Sequence, residues 1–238
     1  MRYLVNDSTD PYFNMSFDEW CLERLQSDDV VFYLWRNRSS VIIGVNQNQN
    51  AEVNLPYLRA HGIDLVRRST GGGAVYHDLQ NLNYSFVGPA TVTDGSIVLG
   101  VADALRGLGV KAEVGGRNDI FVDGRKVSGY ARRLWRDRAI IHGTLMYDVD
   151  IDTLTKALDT PGSKLHRKGV ASVRSRVANL RELLPGFRSM DELQSYLQEF
   201  FSGGDDRIEL SQKQIAEVSD IRDSKYADPK WIYGTWDL

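Results

Sequence analysis

Three β-type runs follow one another between residues 118 and 147, with only short turns between them. The first two runs, residues 118–122 and 126–134, flank Asp123-Gly124, a pair that favours the tight turn of a β-hairpin. A third run covers residues 139–147. Strands joined by such short connections are antiparallel neighbours, and strands outnumber helices in this part of the chain. We therefore predict an α+β fold with a central mixed, mainly antiparallel β-sheet flanked by helices.

The remaining segments add strands and helices on both sides of this region. Two β-rich runs, residues 30–35 and 41–44, are separated by RNRSS and predict a second hairpin. Residues 81–87 alternate apolar and polar side chains, the pattern of a strand with one face on the core. Residues 94–108 carry apolar side chains at helical spacing before Gly109. Ser189 and Glu192 form a capping-box pattern at the start of a later helix.

The overall composition excludes several classes of protein. A net charge of −3 over 238 residues gives no reason to expect a nucleic-acid binder. The single cysteine, Cys21, excludes an internal disulfide and a multi-cysteine metal site, and its helical surroundings predict a packed thiol. The N-terminus has no apolar signal segment, and no run approaches the ~18 apolar residues of a membrane span. We therefore expect a cytoplasmic protein with no membrane partner.

The stretch RRSTGGGAVYHD, residues 67–78, places three successive glycines between two β-type runs. Glycines allow the backbone to approach a ligand closely, and exposed N–H groups in such a loop can bind an anion. With Arg67 and Arg68 directly before the loop, one interpretation is a phosphate or carboxylate site. The other is a tight turn with incidental arginines, because the spacing matches neither of the common glycine-rich nucleotide motifs.

Polar side chains also gather at the predicted hairpin. Pairing across its turn brings Asn118 and Asp119 close to Gly129, and Lys126 begins the second strand. A lysine held on a strand inside a pocket is a fixed positive charge suited to a phosphate or a carboxylate. The alternative is a solvated lysine at a sheet edge.

Two segments are strongly basic on a chain that is acidic overall. Residues 164–176, KLHRKGVASVRSR, contain lysine, arginine and histidine but no acidic residue. Further arginines lie nearby in sequence, namely Arg132, Arg133, Arg136 and Arg138. This asymmetry favours a local anionic partner, either a nucleotide or an acidic protein surface, with a merely solvated loop as the alternative.

Taken together, these segments resemble one known family. RRSTGGGAVYHDLQNLNYSF, GRNDIFVDGRKVSGYA, IIHGTL and KGVASVRSRVANLRELLP are similar, in this order, to stretches of lipoate–protein ligase A, as are DSTDPYFNMSFDEW and YLWRNRSSVIIGVNQN near the N-terminus. RNDIFVDGRKVSG also resembles a pattern of biotin–protein ligases, which share the α+β catalytic fold. The resemblance implies an enzyme that uses ATP and Mg²⁺ to convert lipoate into lipoyl-AMP. It would then transfer the lipoyl group to a lysine of an acceptor lipoyl domain, such as a 2-oxoacid dehydrogenase E2 or the glycine-cleavage H protein.

The resemblance also assigns roles to individual residues. Lys126 falls on the family's essential lysine, and Asp119 is a candidate ligand of Mg²⁺. The residues at nucleotide- and adenylate-contacting positions are Arg68, Gly73, Ala74, Val75, Tyr76, Asn118, Asp119, Lys126 and Gly129. The expected lipoate-binding residues are Trp35, Gly72, Gly73, Lys126 and His142. The expected adenylate-binding loop contains Lys164, Lys168, Val170, Ser172 and Arg174.

Two departures from the family pattern leave related alternatives open. Gln80 stands where the family has a glycine, and the chain ends at Leu238 where two-domain ligases continue into an accessory domain. We therefore expect residues 1–238 to form a single catalytic domain, with the accessory domain supplied by a separate subunit or not needed. The alternatives are a transferase that uses a preactivated lipoyl or octanoyl donor, and a non-catalytic lipoate-binding subunit. An acyl transfer through a cysteine thioester is disfavoured, because Cys21 lies far in sequence from Lys126.

Overall fold

The computed structural model describes residues 1–91, 93, 95–116, 118–158, 176–184, 186–203 and 207–234. Its strands are β1 (Arg2–Leu4), β2 (Val31–Trp35), β3 (Ser40–Ile43), β4 (Asp64–Arg67), β5 (Val75–His77), β6 (Asn81–Pro89), β7 (Ala112–Gly115), β8 (Asp119–Val122), β9 (Arg125–Trp135), β10 (Arg138–Met146) and β11 (Arg207–Ile208). Its α-helices are α1 (Pro11–Arg24), α2 (Gln49–Glu52), α3 (Leu55–His61), α4 (Ser96–Gly107), α5 (Ile151–Ala157), α6 (Leu180–Leu183), α7 (Met190–Ser202), α8 (Gln212–Ile221) and α9 (Pro229–Tyr233), with a π-helix at Arg222–Tyr226 between the last two. Within these ranges, no helix has the length and apolar character needed to cross a membrane.

The described strands form a large sheet in the order β11-β1-β2-β6-β10-β9-β8-β7. β1 pairs in parallel with β2 and β11, and the other pairs are antiparallel. The predicted mixed, mainly antiparallel sheet is thus confirmed. Its centre, β2-β6-β10-β9, aligns residues of four strands side by side.

The two faces of the large sheet bury different clusters. On one face, Phe32 and Phe86 pack with apolar residues of α4 and α7. On the other face, Tyr33 and Trp35 pack with residues of α1 and α8, Met15 among them. Because neighbouring residues of a strand point to opposite faces, β2 contributes to both clusters and is buried throughout. The sheet is therefore the middle of three layers.

A smaller sheet of described strands, in the order β4-β3-β5, lies in the same layer as α1. The predicted hairpin between residues 30–35 and 41–44 is therefore wrong, because β2 and β3 belong to different sheets. Both edges of β2 are occupied by β1 and β6, so β3 pairs instead with β4 and β5. This change of sheet places the glycine-rich segment between β4 and β5 opposite the large sheet.

β6 alternates as predicted, but both of its faces are buried. Leu82, Tyr84 and Phe86 join the core beneath α4, whereas Asn83 and Ser85 on the other face are at most 1% exposed. The prediction of a half-buried strand is wrong because the second layer covers the polar face, whose side chains bond to other buried groups. A pattern that usually marks a solvated face here marks a polar interior.

The hairpin predicted at Asp123-Gly124 is confirmed. Asp123 and Gly124 adopt φ values of 49° and 72°, the left-handed backbone of a type I′ turn. β8 and β9 pair so that Asp119 lies opposite Gly129, with a register shift within β8. Lys126 lies opposite Phe121, nearer the turn, so its side chain extends along the hairpin to reach Asp119.

The predicted helices form, with small differences at their ends. α4 lies within the predicted range, and Cys21 is buried in α1, which confirms the packed thiol. α7 begins after Ser189, whose hydroxyl accepts from the amide of Glu192 at 3.2 Å. The Glu192 carboxylate accepts from the amide of Arg188 instead of returning a bond to Ser189. Only half of the predicted capping box therefore forms.

Candidate active site

A pocket lies between the large sheet and the glycine-rich loop of residues 70–74. Its wall contains residues of α1, β5, the loop and four strands of the large sheet. The predicted site residues that line it are Trp35, Arg68, Gly72, Gly73, Ala74, Val75, Asn118, Lys126, Gly129 and His142. The fold therefore brings together residues that are spread over more than a hundred positions of the sequence.

The floor of the pocket is a row of residues across the large sheet. Trp35 lies opposite Asn83, and Asn83 lies opposite Thr144. The amide of Gly129 continues the row by donating to the Thr144 hydroxyl at 3.3 Å. Trp35 is thus three strands away from Gly129, about 14 Å at the usual strand spacing. The pocket is a groove with Trp35 at one end and the β8–β9 hairpin at the other.

The hairpin end of the groove carries its charged groups. The Lys126 ammonium lies 2.7 Å from Oδ1 of Asp119. The lysine side chain crosses directly over Gly129, since a Cβ built there would lie 2.9 Å from Lys126 Nζ. Asn118 is fixed beside them, because its Nδ2 donates to the Tyr130 carbonyl at 2.6 Å. The missing side chain at Gly129 is what allows the lysine to reach across the strand.

The backbone of Lys126 is fixed by Arg176 and Ala178, at the end of the basic segment 164–176 and just after it. The amide of Lys126 donates to the carbonyl of Arg176 at 2.8 Å, and the amide of Ala178 donates to the carbonyl of Lys126 at 3.0 Å. The end of the predicted adenylate-binding loop therefore lies beside the lysine. The loop residues themselves lie outside the described part of the chain, and their role stays a prediction; they are Lys164, Lys168, Val170, Ser172 and Arg174.

Arg68 holds the glycine-rich loop from within. Its guanidinium donates to the carbonyls of Gly71 and Gly73, to the Thr70 hydroxyl and to a carbonyl of β3. Burial lowers the pKa of Arg68 to about 10, so the group is still charged at neutral pH. Gly72 lies between the two bound carbonyls at a φ of 95°, a conformation that favours glycine. Arg68 thus shapes the loop and places a positive charge in the pocket wall.

Arg67 points away from the pocket, so the interpretation of both arginines as an anion site does not hold for this residue. Its guanidinium donates to the carbonyls of Gly44, Gln47, Trp231 and Ile232, among others. The indole N–H of Trp231 donates in return to the carbonyl of Arg67 at 2.8 Å. Arg67 therefore ties α9 to the strand that leads into the glycine-rich loop.

A buried chain of hydrogen bonds runs beneath the loop. Nδ1 of His142 lies 2.6 Å from Oδ2 of Asp18, and Nε2 lies 2.8 Å from the Thr70 hydroxyl. Oδ1 of Asp18 accepts from the hydroxyls of Tyr33 and Ser85. Burial and the neighbouring Asp18 charge raise the pKa of Tyr33 well above its usual value, so the phenol remains a donor. The chain joins the loop to α1 and to β10.

His77 lies at the end of the pocket that Trp35 forms. The centroids of the two rings are 6.2 Å apart. Nδ1 of His77 lies 3.1 Å from Nδ2 of Asn37, and Nε2 is buried without a hydrogen-bond partner among the residues that the structure describes. Burial, together with the nearby Arg68 charge, lowers the pKa of His77 from 6.5 to about 3. The imidazole is therefore neutral at physiological pH.

Sequence reasoning missed several polar residues of this site, among them Asp18, Thr70 and His77. Thr70 and His77 belong to the very stretch RRSTGGGAVYHD that attracted attention through its glycines and arginines. Asp18 stands among buried residues of α1. A buried carboxylate needs hydrogen-bond or ion-pair partners. An acidic residue among apolar ones in a predicted helix was therefore the signal available in the sequence.

Two predicted site residues do not line the pocket. The side chain of Tyr76 points to the opposite face of β5 from Val75 and His77, and it is buried in the cluster that contains Met146. An adenylate contact of this side chain is therefore not supported, because alternation along the strand turns it away. Asp119 also lies off the wall and reaches the pocket only through its ion pair with Lys126.

Gln80 does not strain the turn in which it replaces a glycine. Its backbone lies outside the left-handed region, so no glycine is required there. Its carbonyl accepts from the amides of Tyr147 and Asp148, and its amide donates to the Asp78 carboxylate at 2.8 Å. Gln80 in place of glycine is therefore expected to change the backbone conformation of this turn little.

The arginines of β9 and β10 differ in their partners. Arg133 pairs with Glu19 and Glu23 at 3.1 and 3.0 Å, which argues against an anionic partner at this residue. Arg132 and Arg138 donate to backbone carbonyls, which leave their positive charge in place. An anionic partner at these two arginines stays a prediction.

The described residues support neither a cysteine nucleophile nor a metal site made by the protein alone. Cys21 is buried away from the pocket wall, and burial raises the pKa of its thiol well above the usual value. Within the described part of the chain, no three His, Cys, Asp or Glu side chains are grouped to hold a metal ion. Asp119 would thus be a single protein ligand of any cation at the hairpin end.

The geometry is suited to a long, mostly apolar acid whose charged end meets a lysine, and known proteins share it. The profile of the lipoyl protein ligase A/B catalytic domain matches residues 10–202. The chain is 40% identical over 247 residues to the lipoate-protein ligase LplJ of Bacillus subtilis, covering 98% of this chain and 74% of LplJ.

Two solved structures extend this similarity to the fold. One, described as a bi-partite lipoate protein ligase and its E2 lipoyl domain from Thermoplasma acidophilum, has a TM-score of 0.86 at 30% identity and covers 100% of this chain and 97% of that chain. Another, a lipoate-protein ligase A bound with ATP, has a TM-score of 0.84 at 29% identity and covers 98% of both chains. The chain therefore belongs to the lipoyl protein ligase A/B catalytic-domain family and is an enzyme of the lipoate–protein ligase type.

Proposed function

We propose that this chain activates lipoate with ATP and transfers the lipoyl group to a lysine of an acceptor lipoyl domain. The observation that carries the proposal is the Lys126 ammonium, held 2.7 Å from Asp119 at one end of a long groove. Family membership and the ATP-bound relative support the choice of the two substrates.

The groove favours one orientation of lipoate. An extended lipoate molecule is about 10 Å long, which fits a groove of about 14 Å between Trp35 and Gly129. With its carboxylate at Lys126, its acyl chain would lie along the apolar wall of Ile42 and Val75. The opposite orientation would place the carboxylate beside Trp35, away from the Lys126 ammonium at the other end of the groove.

Lys126 is placed to act in both steps of the reaction. In the first step a lipoate carboxylate oxygen attacks the α-phosphorus of ATP, and the bond to pyrophosphate breaks. Two anions must approach each other, and the ammonium lowers their repulsion. In the second step the neutral amine of the acceptor lysine attacks the acyl carbon, a C–N bond forms, the acyl C–O bond breaks, AMP leaves with the electron pair of that bond, and the amine proton passes to solvent. Lys126 then stabilises the departing phosphate without forming a covalent bond.

Mg²⁺ would enter this site with the nucleotide. In phosphate-transfer sites Mg²⁺ is usually held by one or two carboxylates together with substrate phosphates, and Asp119 is a carboxylate beside Lys126. The ion would supply positive charge to the leaving pyrophosphate. Asp119 has a second function that needs no metal, since its ion pair orients the lysine.

The acceptor and an accessory subunit form the finer part of the proposal. The T. acidophilum relative is described with an E2 lipoyl domain, which supports a lipoyl domain of E2 or H-protein type as acceptor here. That relative is also described as bi-partite, which supports a separate subunit that completes the adenylation step. We place the reaction in the cytoplasm, where its nucleotide substrate is available.

A paired assay tests the proposal. Purified protein is incubated with ATP, Mg²⁺ and lipoate, and lipoyl-AMP and pyrophosphate are measured. Separately, synthetic lipoyl-AMP and an apo-lipoyl domain are supplied, and acceptor mass is measured. Lys126→Ala should reduce both steps by about 10²–10³-fold, whereas Lys111→Ala, which changes an exposed lysine, should leave both unchanged.

The two halves of the assay separate the alternatives. Lipoyl-AMP formation by the chain alone shows that no accessory subunit is needed. Transfer from synthetic lipoyl-AMP without its formation from ATP supports a separate subunit for the first step. If the wild-type chain performs neither step and does not bind lipoate, the proposed function is refuted.

A further inference from the structure

One buried donor in the pocket has no role in the reaction described above. His77 is 3% exposed, and within the described part of the chain its Nε2 has no hydrogen-bond partner. Buried polar atoms are nearly always bonded in folded proteins. An unpaired one in the wall of a binding pocket is therefore a position where a ligand can supply the missing partner.

The surrounding amides determine which nitrogen of His77 carries the proton. The two hydrogens of Asn14 Nδ2 are shared among three acceptors, namely two backbone carbonyls and Oδ1 of Asn37, the last at 2.8 Å. Oδ1 of Asn37 is thus an acceptor, so Nδ2 of Asn37 is the group that faces Nδ1 of His77 at 3.1 Å. Nδ1 accepts this bond, and a neutral imidazole then carries its proton on Nε2. His77 therefore presents an N–H donor.

The ring lies on the pocket side of its strand. Val75 and His77 both line the pocket, as expected for residues two apart on a strand. Nδ1 is bound to Asn37, so Nε2–H is the polar edge of the ring without a partner among the described residues, and a ligand atom reaches it once the neighbouring side chains shift. The ring sits against Trp35, at the end of the groove remote from Lys126.

The other polar groups at this end are already bonded. The indole N–H of Trp35 donates to Ser85, whose hydroxyl donates in turn to Asp18. The amide of Asn83 donates to the Trp35 carbonyl and accepts from Asn81. A ligand that reaches the Trp35 end therefore meets two donors that have no acceptor among the described residues, the Nε2–H of His77 and the second N–H of the Asn83 amide.

We propose that the Nε2–H of His77 donates a hydrogen bond to a dithiolane sulfur of lipoate and so selects lipoate over octanoate. The proposal rests on the proposed function and its orientation of the substrate. Divalent sulfur is a weak acceptor, whereas octanoate places only C–H groups at this depth and leaves the donor unpaired. The carboxylate end and most of the acyl chain are alike in the two acids, so the difference arises at His77.

The test compares the two acids on the same protein. The affinities of wild type and His77→Phe for lipoate and for octanoate are measured by calorimetry without ATP. The phenyl ring keeps the ring shape but has no donor, so the lipoate-to-octanoate affinity ratio should fall by about fivefold. Any loss of folded protein, or of the bond to Asn37, affects both acids and cancels in the ratio.

A second measurement needs no variant. A long-range ¹H–¹⁵N spectrum of wild type should show a protonated Nε2 on His77, and lipoate should shift this signal much more than octanoate does. An unchanged affinity ratio in His77→Phe, or equal shifts by the two acids, would overturn the role of His77. Binding of neither acid would instead refute the proposed function, and this proposal with it.

Discussion

Replacing Gly129 by alanine tests whether the position of the Lys126 ammonium limits the reaction. A methyl group at this position would lie 2.9 Å from Nζ and 3.1 Å from Cε of Lys126, where ordinary contacts begin at 3.4 Å. The lysine must therefore move by about 0.5 Å or more and loosen its 2.7 Å contact with Asp119. The side chain of residue 129 would thus act on the catalytic charge by displacing Lys126.

The expected effect on rate is large, and the expected effect on stability is small. A displacement of about 1 Å at a catalytic group reduces rates by about 10²-fold, so we expect a loss of about 10- to 100-fold in Gly129→Ala. Alanine is favoured over glycine within a strand by about 0.5–1 kcal/mol. The partly exposed ion pair of Lys126 contributes at most about 1 kcal/mol. The two contributions nearly cancel, so the melting temperature should change little.

The assay measures lipoyl-AMP formation, transfer from synthetic lipoyl-AMP, and thermal unfolding on the same samples. Gly186→Ala is the matched control, because a Cβ there meets no atom within 4 Å, and it should behave as wild type. A Gly129→Ala protein that is fully active would refute the reasoning, since the lysine would then tolerate displacement. An equal loss of activity and of folded protein would also contradict it.

Three further changes test other parts of the site. Burial lowers the pKa of His77 from 6.5 to about 3, so on acidification from pH 7 to pH 5 the unfolded chain binds a proton that the folded chain does not. The free energy of unfolding should therefore fall by about 2 kcal/mol over this pH interval through this residue. Urea unfolding of His77→Phe should lack this part of the pH dependence, and an identical slope would contradict the low pKa. Arg68→Met removes the buried donors that hold the glycine-rich loop, so it should destabilise the protein by about 3 kcal/mol and raise the KM for lipoate; a variant with wild-type KM would show that the loop keeps its shape without the arginine. Gln80→Gly should lower the free energy of unfolding by about 0.5–1 kcal/mol without changing activity, and a gain in activity would mean that the turn does depend on glycine.

Local features of the fold were predictable because they depend on short-range interactions. The turn at Asp123-Gly124 requires left-handed backbone at both residues, and it forms as predicted. The apolar spacing of α4 and the capping residue Ser189 also act within a few turns of their own helices. The pocket position of Lys126 followed from the resemblance and from hairpin pairing together, and the structure places it on the pocket wall.

Errors arose where a segment's environment is supplied by distant residues. The pattern of β6 predicts a water-facing side, yet Asn83 and Ser85 are covered by the second layer. Arg67 and Arg68 are neighbours in sequence, but they point to different surroundings, one to the backbone near α9 and the other into the glycine-rich loop. The residue types around the two arginines do not distinguish these two fates, and only the family resemblance singles out Arg68.

The amino-acid sequence by itself determined the turns, the helix starts, the mainly antiparallel order of strands 118–147 and the family resemblance, because each depends on nearby residues or on whole motifs. Tertiary structure decided that β2 and β3 join different sheets. It determined as well that Arg133 forms ion pairs with carboxylates and that Arg132 and Arg138 donate hydrogen bonds to backbone carbonyls. It also decided that His77 carries an unpaired donor at the end of the pocket. Pairing partners, burial and unsatisfied hydrogen bonds are properties of what surrounds a residue, and those surroundings exist only once the three layers have assembled.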